Sequence, residues 1–395
     1  MTSQAFRVAV VVAAGTSGGL SVGKVPISLP VLSEAFHLSL LQASLTISFF
    51  LLAAMLVGIF GGMLADRFGQ RRVMMLGLIA SAGAGMLGAS STSGTMLLVS
   101  RAVESFGFIA TVLPGPALLA RLVSARRLRP VMGLWACYMP LGMATVLIFS
   151  PWLLEAIGWR GIWIGVAAVS ALLAVLVWHV IPPDPAAGPA ASSIGLVKQT
   201  VRGLKPWLLA GSFGVYAGQW MSVFGFLPTL YQQEGVHAEA AGLLTAIGAG
   251  INMVGNFGAG LLMQRGWQRH RLLIFAAMTM LAAAWVIFAS GAPFGARYAA
   301  LLAFSAAGGL IPGTLFASTQ AFAPNASTVS TTAGLMQQGS ALGQFVTPPL
   351  IAMVVSSTGS WWATWLVTGS MALGNMLLAL VIRRQGERGG GGVGT

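Results

Sequence analysis

The chain has 395 residues, 56% hydrophobic and only 7% charged, and carries a formal net charge of +13. A soluble protein of this length needs a far more charged surface, so the composition excludes that class. A single cysteine, Cys137, excludes an intrachain disulfide.

Repeated apolar runs near the bilayer-crossing length of about 20 residues predict an all-α membrane protein. Twelve spans are expected, over 6–30, 41–65, 72–90, 95–121, 130–153, 160–181, 206–232, 239–264, 271–290, 296–320, 327–356 and 361–383. Arg7 precedes the first span as it would a signal peptide. No small-residue cleavage site follows a short apolar core, so a retained helix is expected. With the N-terminus inside, seventeen of the 21 lysines and arginines fall in inner segments. The outer connections hold only Arg160 and Arg297, and Lys24 and Arg101 lie within spans. This asymmetry predicts both termini in the cytoplasm of a multi-pass protein of the inner (plasma) membrane. It also accounts for the basic balance without nucleic acid as a partner.

Pro182-Pro183-Asp184-Pro185 and Gly188-Pro189 interrupt the pattern after the sixth span. Ile194, Val197, Val201 and Leu204 then interleave with Lys198, Arg202 and Lys205, which predicts a short amphipathic helix on the inner membrane face. The expected organisation is therefore an N-terminal six-helix bundle over 1–183, a cytoplasmic linker over 184–205 and a C-terminal six-helix bundle over 206–384. A glycine-rich tail, 385–395, is expected to be disordered. The halves align: Gly62 on Gly260, Arg67 on Arg265, Gln70 on Gln268 and Arg71 on Arg269, then Gly142 on Gly343 and Gly158 on Gly359. Asp66 meets Gln264, so the second copy lacks the acid. Repeated halves with a site between them are a transporter pattern.

Between the second and third spans runs Gly62-Met63-Leu64-Ala65-Asp66-Arg67-Phe68-Gly69-Gln70-Arg71-Arg72. It resembles the G-x-L-a-D-r-x-G-r-k/r loop signature of the major facilitator superfamily, with Gly62, Asp66, Arg67, Gly69, Arg71 and Arg72 in register. The resemblance implies membrane transport, a fold of twelve helices in two pseudo-symmetric six-helix bundles, and a conformational gate role for this loop. Asp66 is expected near the start of the eleventh helix, around 326–328; the competing expectation is a pair with Arg67 or Arg71. Arg101-Ala102-Val103-Glu104-Ser105-Phe106-Gly107 is similar to the family's fourth-helix pattern R-x-x-x-G-x-G, with Ser105 in place of the first glycine. Its Arg-x-x-Glu form, and Gly158-Trp159-Arg160, resemble the cyanate/nitroimidazole permease branch. Tyr138-Met139-Pro140-Leu141-Gly142 does not reproduce the fifth-helix pattern of drug/proton antiporters.

Ionisable groups inside spans are costly and default to functional hypotheses. Lys24 lies in the first span, and Arg101 and Glu104 share one face of the fourth. Depth along the helices, with the family's arrangement of helices one, four, seven and ten around a cavity, predicts the three side chains together. They are expected to contact substrate or to form a structural ion-pair network, and the two readings are compatible. Ser17, Ser21, Lys24 and Ser28 form one polar stripe on the first helix. Tyr216, Gln219 and Trp220 in the seventh span, Asn252 in the eighth and Gln337 in the eleventh complete the candidate cavity residues. Amides of this kind also serve as helix-packing contacts.

Gly15-Thr16-Ser17-Gly18-Gly19 and Gly19-Leu20-Ser21-Val22-Gly23 fit G-x-S-x-G, which makes an intramembrane serine hydrolase the remote competitor. That motif needs a strand–turn–helix context that this sequence lacks. His179, the intraspan histidine, falls far from the depth of Ser17. No enzyme activity, cofactor or metal site is expected. The preferred expectation is a monomeric secondary transporter moving a small organic or inorganic anion by alternating access. Two buried cations face one buried acid, and Glu104 is the candidate proton carrier for coupled uptake. Proton-driven export of drugs, natural products or siderophores is the competing reading.

Overall fold

Serines open several of the helices. The Ser3 side chain accepts from the Phe6 N–H at the start of α1 (Gln4–Ala35), and Ser39 with Gln42 forms a capping box before α2 (Leu40–Ser48). After a 3-10 turn at Phe49–Leu51 the helix resumes as α3 (Leu52–Phe68). Gly69, at φ +93°, reverses the chain into α4 (Gln70–Ala89), and Ser93 opens α5 (Gly94–Val112). Then follow α6 (Gly115–Leu122), α7 (Ala125–Ala136) and α8 (Tyr138–Val180). Gly158, at φ +65°, breaks α8 into two helices. The linker helix α9 (Ser193–Arg202) precedes α10 (Leu204–Phe224), α11 (Leu227–Gln233), α12 (Ala238–Gly250) and α13 (Asn252–Gln264). The chain continues through α14 (Arg269–Phe288), α15 (Phe294–Phe322), α16 (Val329–Thr358) and α17 (Thr364–Gly390).

The computed structural model describes residues 3–184, 193–288, 292–325 and 328–390, and every regular element among them is helical. Ten helical stretches among the described residues are long and apolar enough to cross a membrane, and Tyr138–Phe149 is a shorter apolar one. Helical spans satisfy every backbone donor internally, which is why a bilayer permits them. The seventh expected span, 206–232, falls on α10 and α11, with Pro228 in the first turn of α11.

Residue contacts group the chain into two units. The first holds residues 1–193 and 223–250, the second 194–222 and 251–395. Within the first, α1 packs on α8 through small residues. A Cβ on Gly19 would meet the Met139 carbonyl at 2.6 Å, and one on Gly142 would overlap the Thr16 carbonyl. Within the second, α10 packs on α16 in the same way, a Cβ on Gly343 overlapping the Gly214 carbonyl. Close backbone approach of small residues is how helices associate where lipid supplies no hydrophobic drive. Gly142 and Gly343 are equivalent in the sequence repeat and do the same job in each unit. Gly158 and Gly359 are equivalent too, and both end a helix at positive φ, +65° and +66°.

Candidate functional site

A discontinuity in the second span builds the site in the first unit. The 3-10 turn Phe49–Leu51 directs the Leu52 N–H to the Phe49 carbonyl, so the helical ladder is interrupted there. Helix α5 satisfies the groups this frees. Arg101 Nε donates to the Thr46 carbonyl at 3.0 Å, and Ser105 Oγ accepts from the Ala53 N–H at 2.8 Å. Ser105, standing where the family pattern has glycine, is thus the acceptor for a broken helix. Phe50, in the break, lies over the Arg101 guanidinium at 4.5 Å and beside Phe108 at 4.8 Å between centroids. Gly18 on α1 leaves room for the Phe108 ring.

Arg101 donates through Nη1 to Glu104 Oε2, one helical turn on. The other carboxylate oxygen takes Lys24 Nζ from α1 at 2.7 Å. Lys24 also sits 4.8 Å from the centroid of the Trp163 ring, and Ser21 is buried one turn before Lys24 on the same helix. All three charged side chains are 1% exposed or less. A guanidinium and an ammonium sharing one carboxylate leave a buried excess of one positive charge. Such a cluster persists only because each ion is paired and hydrogen-bonded. Two clefts of about 410 and 390 Å³ lie in the same unit, and neither is lined by these three residues.

Lys24, Arg101 and Glu104 thus meet as expected. Ser17 is buried on the same helix, where its hydroxyl donates to the Ala14 carbonyl at 2.7 Å. The glycines of the two G-x-S-x-G matches serve helix packing: Gly15 against Trp135 and Tyr138, Gly19 against Met139, and Gly23 against Met143 and Val146.

In the second unit Asn252 organises a neutral network. Its Nδ2 donates to the Tyr216 hydroxyl at 3.0 Å and to the Ser305 carbonyl at 2.9 Å, and its Oδ1 accepts from Asn256 at 2.9 Å. Trp220 Nε1 donates to Ser305 Oγ at 3.4 Å. Gln219 is fully buried, yet neither its amide nitrogen nor its amide oxygen has a hydrogen-bond partner among the described residues. Leaving both ends of a buried amide unpaired is expensive, so Gln219 stands apart from the satisfied amides around it. Gln337 is half-buried and takes no part in this network.

The basic loop is held by a residue that the sequence pattern does not single out, because it stands in a helix break. The Asp184 carboxylate accepts from the Arg71 N–H at 3.0 Å and the Arg72 N–H at 3.3 Å, capping the N-terminus of α4 from outside it. It also takes the Arg121 guanidinium at 2.9 Å. Gly69 has no side chain to obstruct Asp184, which lies directly over it. Arg71 donates to the Trp178 carbonyl and stacks 4.6 Å over its ring. The signal that could have found Asp184 is an acid just past Pro182-Pro183, on an otherwise basic side. The side chains of Asp66 and Arg67, and residues 326 and 327, lie outside the described residues, so the expected contact of Asp66 does too.

A model of the Major Facilitator Superfamily matches residues 9–342. Human monocarboxylate transporter 11 is 27% identical over 95% of this chain and 82% of its own length. A multidrug resistance protein B homolog of Mycobacterium tuberculosis is 34% identical over 39% of this chain, and the cis,cis-muconate transport protein of Acinetobacter baylyi is 30% identical over 40%. These two matches span only 28% and 38% of the relatives' own lengths. A crystal structure of a bacterial homolog of the human lysosomal transporter Spinster superposes with a TM-score of 0.78 at 16% identity, covering 97% of this chain and 98% of that one. The helical architecture and the match along most of the sequence agree: the chain belongs to the Major Facilitator Superfamily of transporters.

Proposed function

We propose that the protein is a secondary transporter that takes up a small organic or inorganic anion together with a proton. The halves 1–183 and 206–384 would be the bodies that alternate, and the inner (plasma) membrane its location. The observation that carries this reading is the Lys24–Glu104–Arg101 cluster, two buried cations on one carboxylate. An anionic substrate can take over the pairing of Lys24 and Arg101, and Glu104 then accepts a proton without leaving a buried charge uncompensated. The names of two relatives, a monocarboxylate transporter and a muconate transport protein, support an anion.

The multidrug relative favours a second reading, export of drugs or natural products. A cavity selecting cationic drugs needs excess negative charge, which this cluster does not supply. The test is uptake into proteoliposomes of a carboxylate selected by thermal-shift screening. Lys24→Ala and Arg101→Ala should each lower uptake at least about tenfold, the loss of one charge-assisted hydrogen bond of some 1.5–3 kcal/mol. Full uptake by either variant assigns that residue to helix packing.

A further inference from the structure

The second unit has almost no acid. Between residues 194–222 and 251–395 the sequence holds three lysines or arginines in the linker region, Lys198, Arg202 and Lys205, and seven more arginines, against Glu387 alone. Helix α9 carries the first of these cations at the surface, and its two sides differ. One side is fastened to its own unit: Thr200 Oγ1 lies 2.6 Å from Thr331 Oγ1, both buried, and Asn325 Nδ2 donates to Gln199 Oε1 at 2.9 Å. The other side presents Ile194, 75% exposed, and Val201, 41% exposed, with Lys198 and Arg202 beside them. Leu204 and Trp207, about half exposed, continue the apolar strip. The Trp207 indole donates to the Val201 carbonyl at 2.8 Å, which fixes the ring alongside the end of α9.

Apolar side chains, a tryptophan and flanking cations on one exposed face suit a bilayer interface, with rings and aliphatic groups at the acyl boundary and cations at the headgroups. Lys198 and Arg202 make no ion pair among the described residues. Both are exposed, so anionic headgroups can reach them.

We propose that the outer face of α9, centred on Ile194, Lys198, Val201 and Arg202 and extended by Trp207, is a preformed docking surface for anionic phospholipid headgroups of the adjoining leaflet. It is preformed because the bonds through Thr200 and Gln199 hold the helix in place without lipid. The surface prefers anionic over zwitterionic lipid through its two exposed cations, and it holds either lipid by Ile194, Val201 and Trp207.

The test uses the full-length protein in detergent, titrated with dioleoyl phosphatidylglycerol or dioleoyl phosphatidylcholine, with bound lipid counted by native mass spectrometry. Wild type should retain phosphatidylglycerol in preference. Lys198→Gln/Arg202→Gln should bind it about 30-fold more weakly, roughly fivefold for each cation near an anionic surface, with phosphatidylcholine retention unchanged. The charge-conserving Lys198→Arg/Arg202→Lys should behave as wild type. Ile194→Ser, which leaves every charge and every buried hydrogen bond intact, should weaken both lipids. Equal retention of the two lipids by wild type, or wild-type retention by either the double glutamine variant or Ile194→Ser, overturns the proposal. Displacement of phosphatidylglycerol by excess inorganic phosphate also overturns it, because the site would then recognise a free anion.

Discussion

Asp184 shows how much one acid can organise on a basic surface. Its carboxylate serves two backbone N–H groups at the start of α4 and the guanidinium of Arg121. Carboxylate caps at helix N-termini contribute about 0.5–2 kcal/mol. Asp184→Ala should therefore lower the thermal unfolding temperature measurably in detergent, and Arg121→Ala should lower it less, since that ion pair is partly exposed. Equal losses from the two variants would show that the ion pair and not the cap is what matters. Neither role is legible in the sequence, where Asp184 stands among prolines 113 residues from its backbone partner Arg71. Lys24, Arg101 and Glu104 are legible, because an ionisable group within an apolar run has few partners to choose from.

At the scale of elements, the break in the second span decides the shape of the charged cluster. Thr46 offers a carbonyl to Arg101 only because the turn at Phe49–Leu51 frees it, and Ser105 answers the other side of the break. Ser105→Ala leaves the buried Ala53 N–H unpaired and should cost about 1–3 kcal/mol. Ser105→Gly, which restores the family's residue, should cost a similar amount in this chain; no loss in unfolding experiments on either variant would show that the break is satisfied by other means. Sequence pattern gives no warning of it, since Ser48-Phe49-Phe50-Leu51 contains neither glycine nor proline. The breaks at Gly158 and Gly359 are legible for the opposite reason: the repeat aligns two glycines, and both adopt positive φ. The repeat also predicts the effect of Gly343→Ala. Its Cβ would overlap the Gly214 carbonyl, a backbone atom that cannot rotate away, so α10 and α16 must separate. That variant should reach the membrane in reduced amounts and unfold at lower temperature, whereas Gly260→Ala, which has open space around it, should not.

For the whole molecule, the asymmetry of charge and the loop from Gly62 to Arg72 make the superfamily legible in the residues themselves, and the family model and the fold agree. Substrate and energy source are not legible, because relatives that match this chain carry the names of transporters for quite different solutes. The central claim is that Lys24, Arg101 and Glu104 form one coupling unit, in which the anion occupies the cations while Glu104 carries the proton. The most direct measurement uses Glu104→Gln in proteoliposomes, with exchange of a labelled carboxylate substrate at equilibrium and its accumulation driven by external acid recorded on the same preparation. Exchange needs a folded and moving protein, so it controls for both. The account predicts that exchange persists and that pH-driven accumulation is lost. Accumulation against the substrate gradient by Glu104→Gln, at a rate near wild type, would contradict it.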